Sequence, residues 1–125
     1  MQPEDLKKRT KDFALRTMRA VLALPRNRAA EVVARQLLRA ATSVGANYRA
    51  ACRARSQAEF ISKMHIVQEE ADEALYWLEL TAESGLMKKE RLEKLMKEAS
   101  ELVAITVASI NTARRGFRRG KAPCL

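Results

Sequence analysis

Glycine and proline are scarce, four and three in 125 residues, and with them goes the punctuation that a β-sandwich or barrel needs every ten residues or so. That excludes an all-β chain, and long helices with few connections fit instead. Cys52 and Cys124 have no further Cys or His near them at metal-ligand spacing. Neither a zinc site nor a redox pair is therefore expected, and both read as reduced thiols. Cys124 is penultimate, so no prenylation box is expected. Apolar runs such as Leu102 to Ile105 fall far short of the ~20 residues that span a bilayer, and Met1-Gln2-Pro3-Glu4-Asp5-Leu6-Lys7-Lys8 has no apolar segment behind a basic head, so no secretory signal is expected. A cytoplasmic protein follows.

The single histidine, His65, also narrows the chemistry. A Ser or Cys nucleophile would lack a clear base, and no Gly-rich phosphate loop is present. The acidic run Glu69-Glu70-Ala71-Asp72-Glu73 raises the question of a two-metal carboxylate centre, but that chemistry needs two Glu-x-x-His pairs. Ser62 stands three residues before His65. An enzyme, a metal and a cofactor are all unexpected, and charge pairing with a neighbouring helix or subunit is the expected role of the acidic run.

What the chain has in quantity is positive charge, 24 Lys plus Arg against 15 Asp plus Glu, net +9. Residues 1–55 carry 13 basic and 4 acidic side chains, residues 56–113 carry 6 and 11, and residues 114–125 carry 5 and none. A basic half, an acidic half and a short basic end imply internal pairing plus a surplus for an anionic partner.

Apolar spacing divides the chain into four helices. Pro3-Glu4-Asp5 is a good first turn and Pro25 a stop, so helix one is expected from about residue 4 to Leu24, with Phe13, Thr17, Val21 and Leu24 on its core face. Asn27 caps a second helix ending near Arg55, with the stripe Ala30, Val33, Leu37, Ala41, Val44, Tyr48 and Ala51. Ser56-Gln57-Ala58-Glu59 is a capping box that opens a third helix. Its stripe is Phe60, Met64, Val67, Ala71, Leu75, Leu78 and Ala82, and Gly85 stops it. Leu92, Met96, Ala99, Val103, Thr106, Ile110 and Ala113 mark a fourth, from about residue 88 to 114. Short links leave one arrangement, an all-α, up-down-up-down antiparallel four-helix bundle over residues 1–115, followed by a basic flexible tail over 116–125.

Two segments carry more apolar surface than one core face needs. Leu75 to Thr81 has five apolar residues of seven, and Leu102 to Ile110 has seven of nine. Either the core stripe is wide, or Tyr76, Trp77, Ile105 and Val107 form a subunit interface in a homo-oligomer. Ile105 and Val107 lie about 200° apart on a helical wheel, so both cannot face one core.

Helix two holds the candidate binding residues. Gly45 costs ~1 kcal/mol relative to Ala inside a helix. Either Ala41 and Gly45 admit a neighbouring helix, or Ser43 and Asn47 meet a ligand. Arg28, Arg35, Arg39, Arg49 and Arg53 fall within about 40° of one line, opposite the core face. Lys8, Arg16 and Arg19 lie off the core face of helix one, interrupted by Asp12. A planar guanidinium suits phosphate oxygens, so the stripe points to the backbone of RNA or DNA. Its competing reading is a solvated face, or salt bridges to the acidic third helix. With no aromatic in the stripe, sequence-tolerant contact is expected rather than stacking. Arg114, Arg115, Arg118 and Arg119, with Phe117 between the pairs, offer a second contact.

Three segments also resemble a known family. They are Gln36 through Ala51, Arg53-Ala54-Arg55-Ser56-Gln57-Ala58-Glu59-Phe60, and Glu69 through Glu79. In order and interval they are similar to the four-helix bundle proteins encoded in intervening sequences of bacterial 23S ribosomal RNA genes, over roughly residues 6–115. Ala50 departs from the pattern, where many members have Glu. The resemblance implies a homopentameric ring. It further implies kinship with accessory proteins of diversity-generating retroelements, which bind nucleic acid and a reverse transcriptase. Two functions follow as expectations: a non-enzymatic oligomer binding RNA or DNA phosphates, and a structural adaptor for a partner protein such as a reverse transcriptase.

Overall fold

Pro3 and the acids Glu4 and Asp5 occupy the first turn of α1 (Pro3–Leu22), where proline's missing amide costs nothing and carboxylates meet the positive end of the helix dipole. The Gln2 amide donates to the Asp5 carboxylate at 3.2 Å. In this computed structural model, which describes residues 1–118 without the side chains of residues 117 and 118, three further helices follow: α2 (Arg28–Cys52), α3 (Gln57–Glu83) and α4 (Lys89–Arg118).

The helix ends are local chemistry. α1 closes at Leu22, two residues before the expected Leu24, because Pro25 disfavours helical backbone in the residue before it. The Ala23 and Leu24 amides then bond back to Ala20 and Val21, each at 3.1 Å. Asn27 Oδ1 accepts from the Ala30 amide at 2.8 Å and starts α2. α2 ends at Cys52 rather than Arg55, since Ser56 must already be extended (φ −151°) to cap α3. Ser56 Oγ accepts from the Glu59 amide at 3.0 Å. The Glu59 carboxylate accepts from the Arg55 amide at 3.0 Å, one residue before the reciprocal bond of a capping box. Gly85, at φ 79°, makes the left-handed turn out of α3. α4 runs on to Arg118, past the expected end near residue 114, so residues 116–118 of the expected flexible tail are helical; residues 119–125 lie outside the described residues.

Each helix packs on two neighbours, α2 on α1 and α3, α4 on α3 and α1, and the diagonal pairs α1/α3 and α2/α4 make no close backbone approach. The described residues thus form an antiparallel four-helix bundle with no strand. Its core contains every expected α2 position, along with Phe13, Met64, Val67, Leu78, Leu92, Leu102 and Ile110. Buried Thr10, Thr17, Thr81 and Thr106 donate their hydroxyls to carbonyls three or four residues earlier, at 2.6–2.9 Å, so none of these four hydroxyls is stranded, whereas the buried Gln57 Oε1 has no partner among the described residues. Gln57 Nε2 donates to the Ala113 carbonyl at 2.6 Å, tying the start of α3 to the end of α4.

The α1–α4 contact is the thinnest of the four, and a charge clamp spans it. Arg9 Nε and Nη2 donate to the two Glu98 oxygens at 2.7 and 2.8 Å, and Nη2 also reaches Glu101 at 2.8 Å. Hydrogen bonding to Glu98 pushes the guanidinium pKa above its ordinary value. A bidentate, half-buried pair exceeds the usual surface ion pair. An Arg9→Ala/Glu98→Ala double-mutant cycle in chemical denaturation should give a coupling of about 1–2 kcal/mol. A coupling below about 0.3 kcal/mol would reduce the clamp to surface decoration.

Candidate nucleic-acid interface

The basic surface is built where α1 and α2 come closest. An added Cβ at Gly45 would stand 3.2 Å from Thr10 Oγ1 and 3.5 Å from the Thr10 carbonyl carbon. Gly45 is therefore the residue that admits α1, which resolves the choice over this glycine in favour of packing. Asn47 Nδ2 bonds to the Ser43 carbonyl at 2.8 Å within the same helix. Small side chains on both sides leave a groove of about 620 Å³, whose floor includes Thr10, Ala14, Thr42, Gly45 and Ala46. Lys7, Lys8, Lys11, Arg49 and Arg53 line its rim, with Glu4 the one acid, 3.1 Å from Lys7. Of these cations only Lys7 has an ion-pair partner within 4.0 Å among the described residues. The groove holds a net positive field over a floor without aromatics, suited to a polyanion backbone.

The arginines of the expected line have different surroundings. Arg49 and Arg53 line the groove together with Lys8. Arg39 leans the other way, donating to Glu70 at 2.9 Å and to Glu73, so for this residue the salt-bridge reading holds. Arg28 and Arg35 are exposed further up α2. Arg16 and Arg19 line a shallow pocket on the α4 side of α1 with Arg9, Asp12 and Glu98, away from the groove. Arg114 Nη2 lies 3.1 Å from His65 Nε2, and Arg115 reaches Thr112 at 3.4 Å. Arg118 ends α4, and Arg119 lies outside the described residues. Antiparallel packing puts the start of α1, the end of α2 and the end of α4 at one end of the bundle, so Arg114 and Arg115 share the groove's end.

Residues 4–108 of the chain match the family of 23S rRNA-intervening sequence proteins. The chain belongs to that family. A crystal structure at 1.70 Å of a protein of unknown function from the S23 ribosomal protein family of Bacteroides thetaiotaomicron is similar, at 32% identity and TM-score 0.82 over 89% of this chain and 99% of that one. No curated protein matches. All the groove residues lie inside the segment matched to the 23S rRNA-intervening sequence proteins, whereas Arg114 and Arg115 lie beyond it.

Lys7 and Lys11 belong to the groove and are absent from the sequence-derived set. Their spacing, four apart on the flank of α1 that carries Ala14, was the available signal once Gly45 is taken as the point of approach. Of the expected interface residues, Trp77 and Ile105 pack partly buried against their own core. The Trp77 indole N–H donates to Glu73 at 3.2 Å. Tyr76 and Val107 are exposed. The wide core stripe therefore accounts for much of the apolar excess, and Tyr76, Leu80 and Val107 are left outside it. Among the described residues no cluster of His, Cys, Asp and Glu can hold a metal, and no helix is long and apolar enough to cross a membrane.

Proposed function

We propose that this member of the 23S rRNA-intervening sequence family is a non-enzymatic, oligomeric protein that holds RNA or DNA by its phosphates in the α1–α2 groove. The observation that carries this reading is the convergence of Lys7, Lys8, Lys11, Arg49 and Arg53 on one groove opposed by a single acid. Arg114 and Arg115 add positive charge at the same end of the bundle, Arg114 beside His65 of α3. Closed assembly, a pentamer by family resemblance, would set several such grooves around one axis and multiply their field.

Fluorescence anisotropy with mixed-sequence single strands tests the binding. Affinity should fall steeply between 50 and 200 mM salt, by roughly 0.7–0.9 in log-log slope per phosphate contact, and RNA and DNA should bind within about tenfold of one another, because backbone rather than bases is touched. Absence of binding at low salt would overturn the reading. Loss of all binding on deleting residues 119–125 would move the contact to that segment. Capture of a partner protein such as a reverse transcriptase at high salt, without nucleic-acid binding, would favour an adaptor. Light scattering should give about five times the chain mass; a monomer at micromolar concentration would remove the oligomer.

A further inference from the structure

The α1–α2 groove has two walls, and its cations come from both. Lys7, Lys8 and Lys11 stand on α1, and Arg49 and Arg53 on α2. Thr10 lies against Gly45 and the two helices run antiparallel, so Lys11 stands level with Gly45, while Arg53, eight residues further along α2, reaches the start of α1. At 1.5 Å per residue the five cations are strung over about 12 Å of groove. A stacked strand advances about 3.4 Å per nucleotide, so that length spans roughly four phosphates. The floor between the walls offers nothing that singles out a base. Ala14, Gly45 and Ala46 carry no polar side-chain atom, and the hydroxyls of Thr10 and Thr42 are already donated to the Leu6 and Leu38 carbonyls, at 2.9 and 2.7 Å. With Gly45 letting the helices close up, their axes stand at roughly 8–10 Å. A sugar-phosphate chain can lie in so narrow a furrow. A duplex cannot, because its major groove alone is about 12 Å wide; it rests on the crest of one helix and leaves the facing wall out of reach.

We infer that the groove selects single strands over duplexes and holds about four nucleotides, the phosphates lying between the three lysines of α1 and the two arginines of α2. The inference rests on the proposed nucleic-acid reading of this groove and adds which form of nucleic acid it takes. The selection runs against bulk electrostatics. A duplex carries the denser charge, one per about 1.7 Å of its axis, and releases more counterions per contact than a single strand does. An open basic face would therefore prefer the duplex, and preference for the strand is the mark of a furrow. Glu4, the one lining acid, pairs with Lys7 at 3.1 Å and opposes the phosphates there.

The test uses the full-length protein and fluorescence anisotropy at about 100 mM salt, with a labelled RNA strand of about twelve mixed nucleotides, alone or annealed to its complement. The strand should bind at least about tenfold more tightly than the duplex. Across a series of shorter strands the log-log salt slope should climb from two nucleotides to four and level at roughly 3 by eight, at about 0.7 per phosphate. Ala46→Leu with Thr42→Leu fills the floor and leaves every charge in place. Both positions are exposed and Leu is a good helix former, so circular dichroism should show the parent's helix content. This variant should lose about tenfold in strand affinity and keep its duplex affinity. Glu4→Gln, which leaves the floor open, should tighten the strand several-fold and the duplex less. Duplex binding as tight as strand binding, or strand binding untouched by the filled floor, would overturn the inference and leave nucleic-acid binding standing. A parent that binds neither probe at low salt would remove the proposed function and this inference together.

Discussion

The combined variant Lys7→Gln, Arg49→Gln and Arg53→Gln should bind mixed-sequence RNA on the order of a hundredfold or more weakly than the parent at 50 mM salt. Its log-log salt slope should be shallower by about two to three. The size follows from counterion release. With a slope of roughly 0.7–0.9 per phosphate, one contact contributes about tenfold at 50 mM relative to molar salt, so three lost contacts approach a thousandfold and imperfect pairing brings the figure down. Gln is a comparable helix former, so the two helices should survive the change. Light scattering should show that the variant keeps the parent's assembly. Arg28→Gln with Arg35→Gln is the control, since both residues are exposed on α2 outside the groove. Equal losses for the two variants would mean that charge is read along the whole of α2, and that the groove has no special role.

The helices and the core were legible in the sequence because each depends on local rules. Asn27 and Ser56 accept from the amides three residues on, as their types and positions require, and Gly85 is left-handed where the third apolar stripe stops. The expected α2 stripe is buried throughout. The candidate basic surface was legible only in part, for a different physical reason. A charged side chain on the outer half of a helix can lean to either side, and which side is settled by the neighbouring helix. Arg39 and Arg49 lie about 80° apart on the wheel, close enough to read as one line. Glu70 and Glu73 of α3 draw the first away, while the small side chains of α1 and α2 leave room for the second. Lys7 and Lys11 were passed over because their importance arises only when Gly45 brings α1 against α2. The end of α4 was placed near 114 because its apolar stripe stops at Ala113; in the fold Gly116 is still buried and helical, near the point where Gln57 holds the Ala113 carbonyl.

Phe13→Ala should lower stability by about 3–5 kcal/mol and the melting temperature by roughly 10–20 °C for a chain of this length, measured at one fixed protein concentration. Phe13 is fully buried, and the other buried residues of α1 are Leu6, Thr10 and Thr17. Phe13 is thus the largest apolar side chain that α1 places in the core, and its truncation leaves a cavity that two threonines bonded to their own helix cannot fill. The α1–α4 contact is the thinnest in the bundle, with the Arg9 clamp across it. The variant should therefore loosen α1 before the rest, and native-state hydrogen exchange should show α1 amides losing protection while α2 and α3 keep theirs. Lys7 and Lys11 ride on α1, Arg49 and Arg53 on α2, so a polyanion across the groove fastens the two helices. At a hundred times its Kd, RNA should return about 2.7 kcal/mol to Phe13→Ala, close to 10 °C. Adding the Lys7→Gln, Arg49→Gln and Arg53→Gln changes to that chain should remove most of the rescue. If RNA raises the melting temperature equally with the groove cations absent, the ligand is held elsewhere on the bundle, and the α1–α2 groove is not the nucleic-acid site.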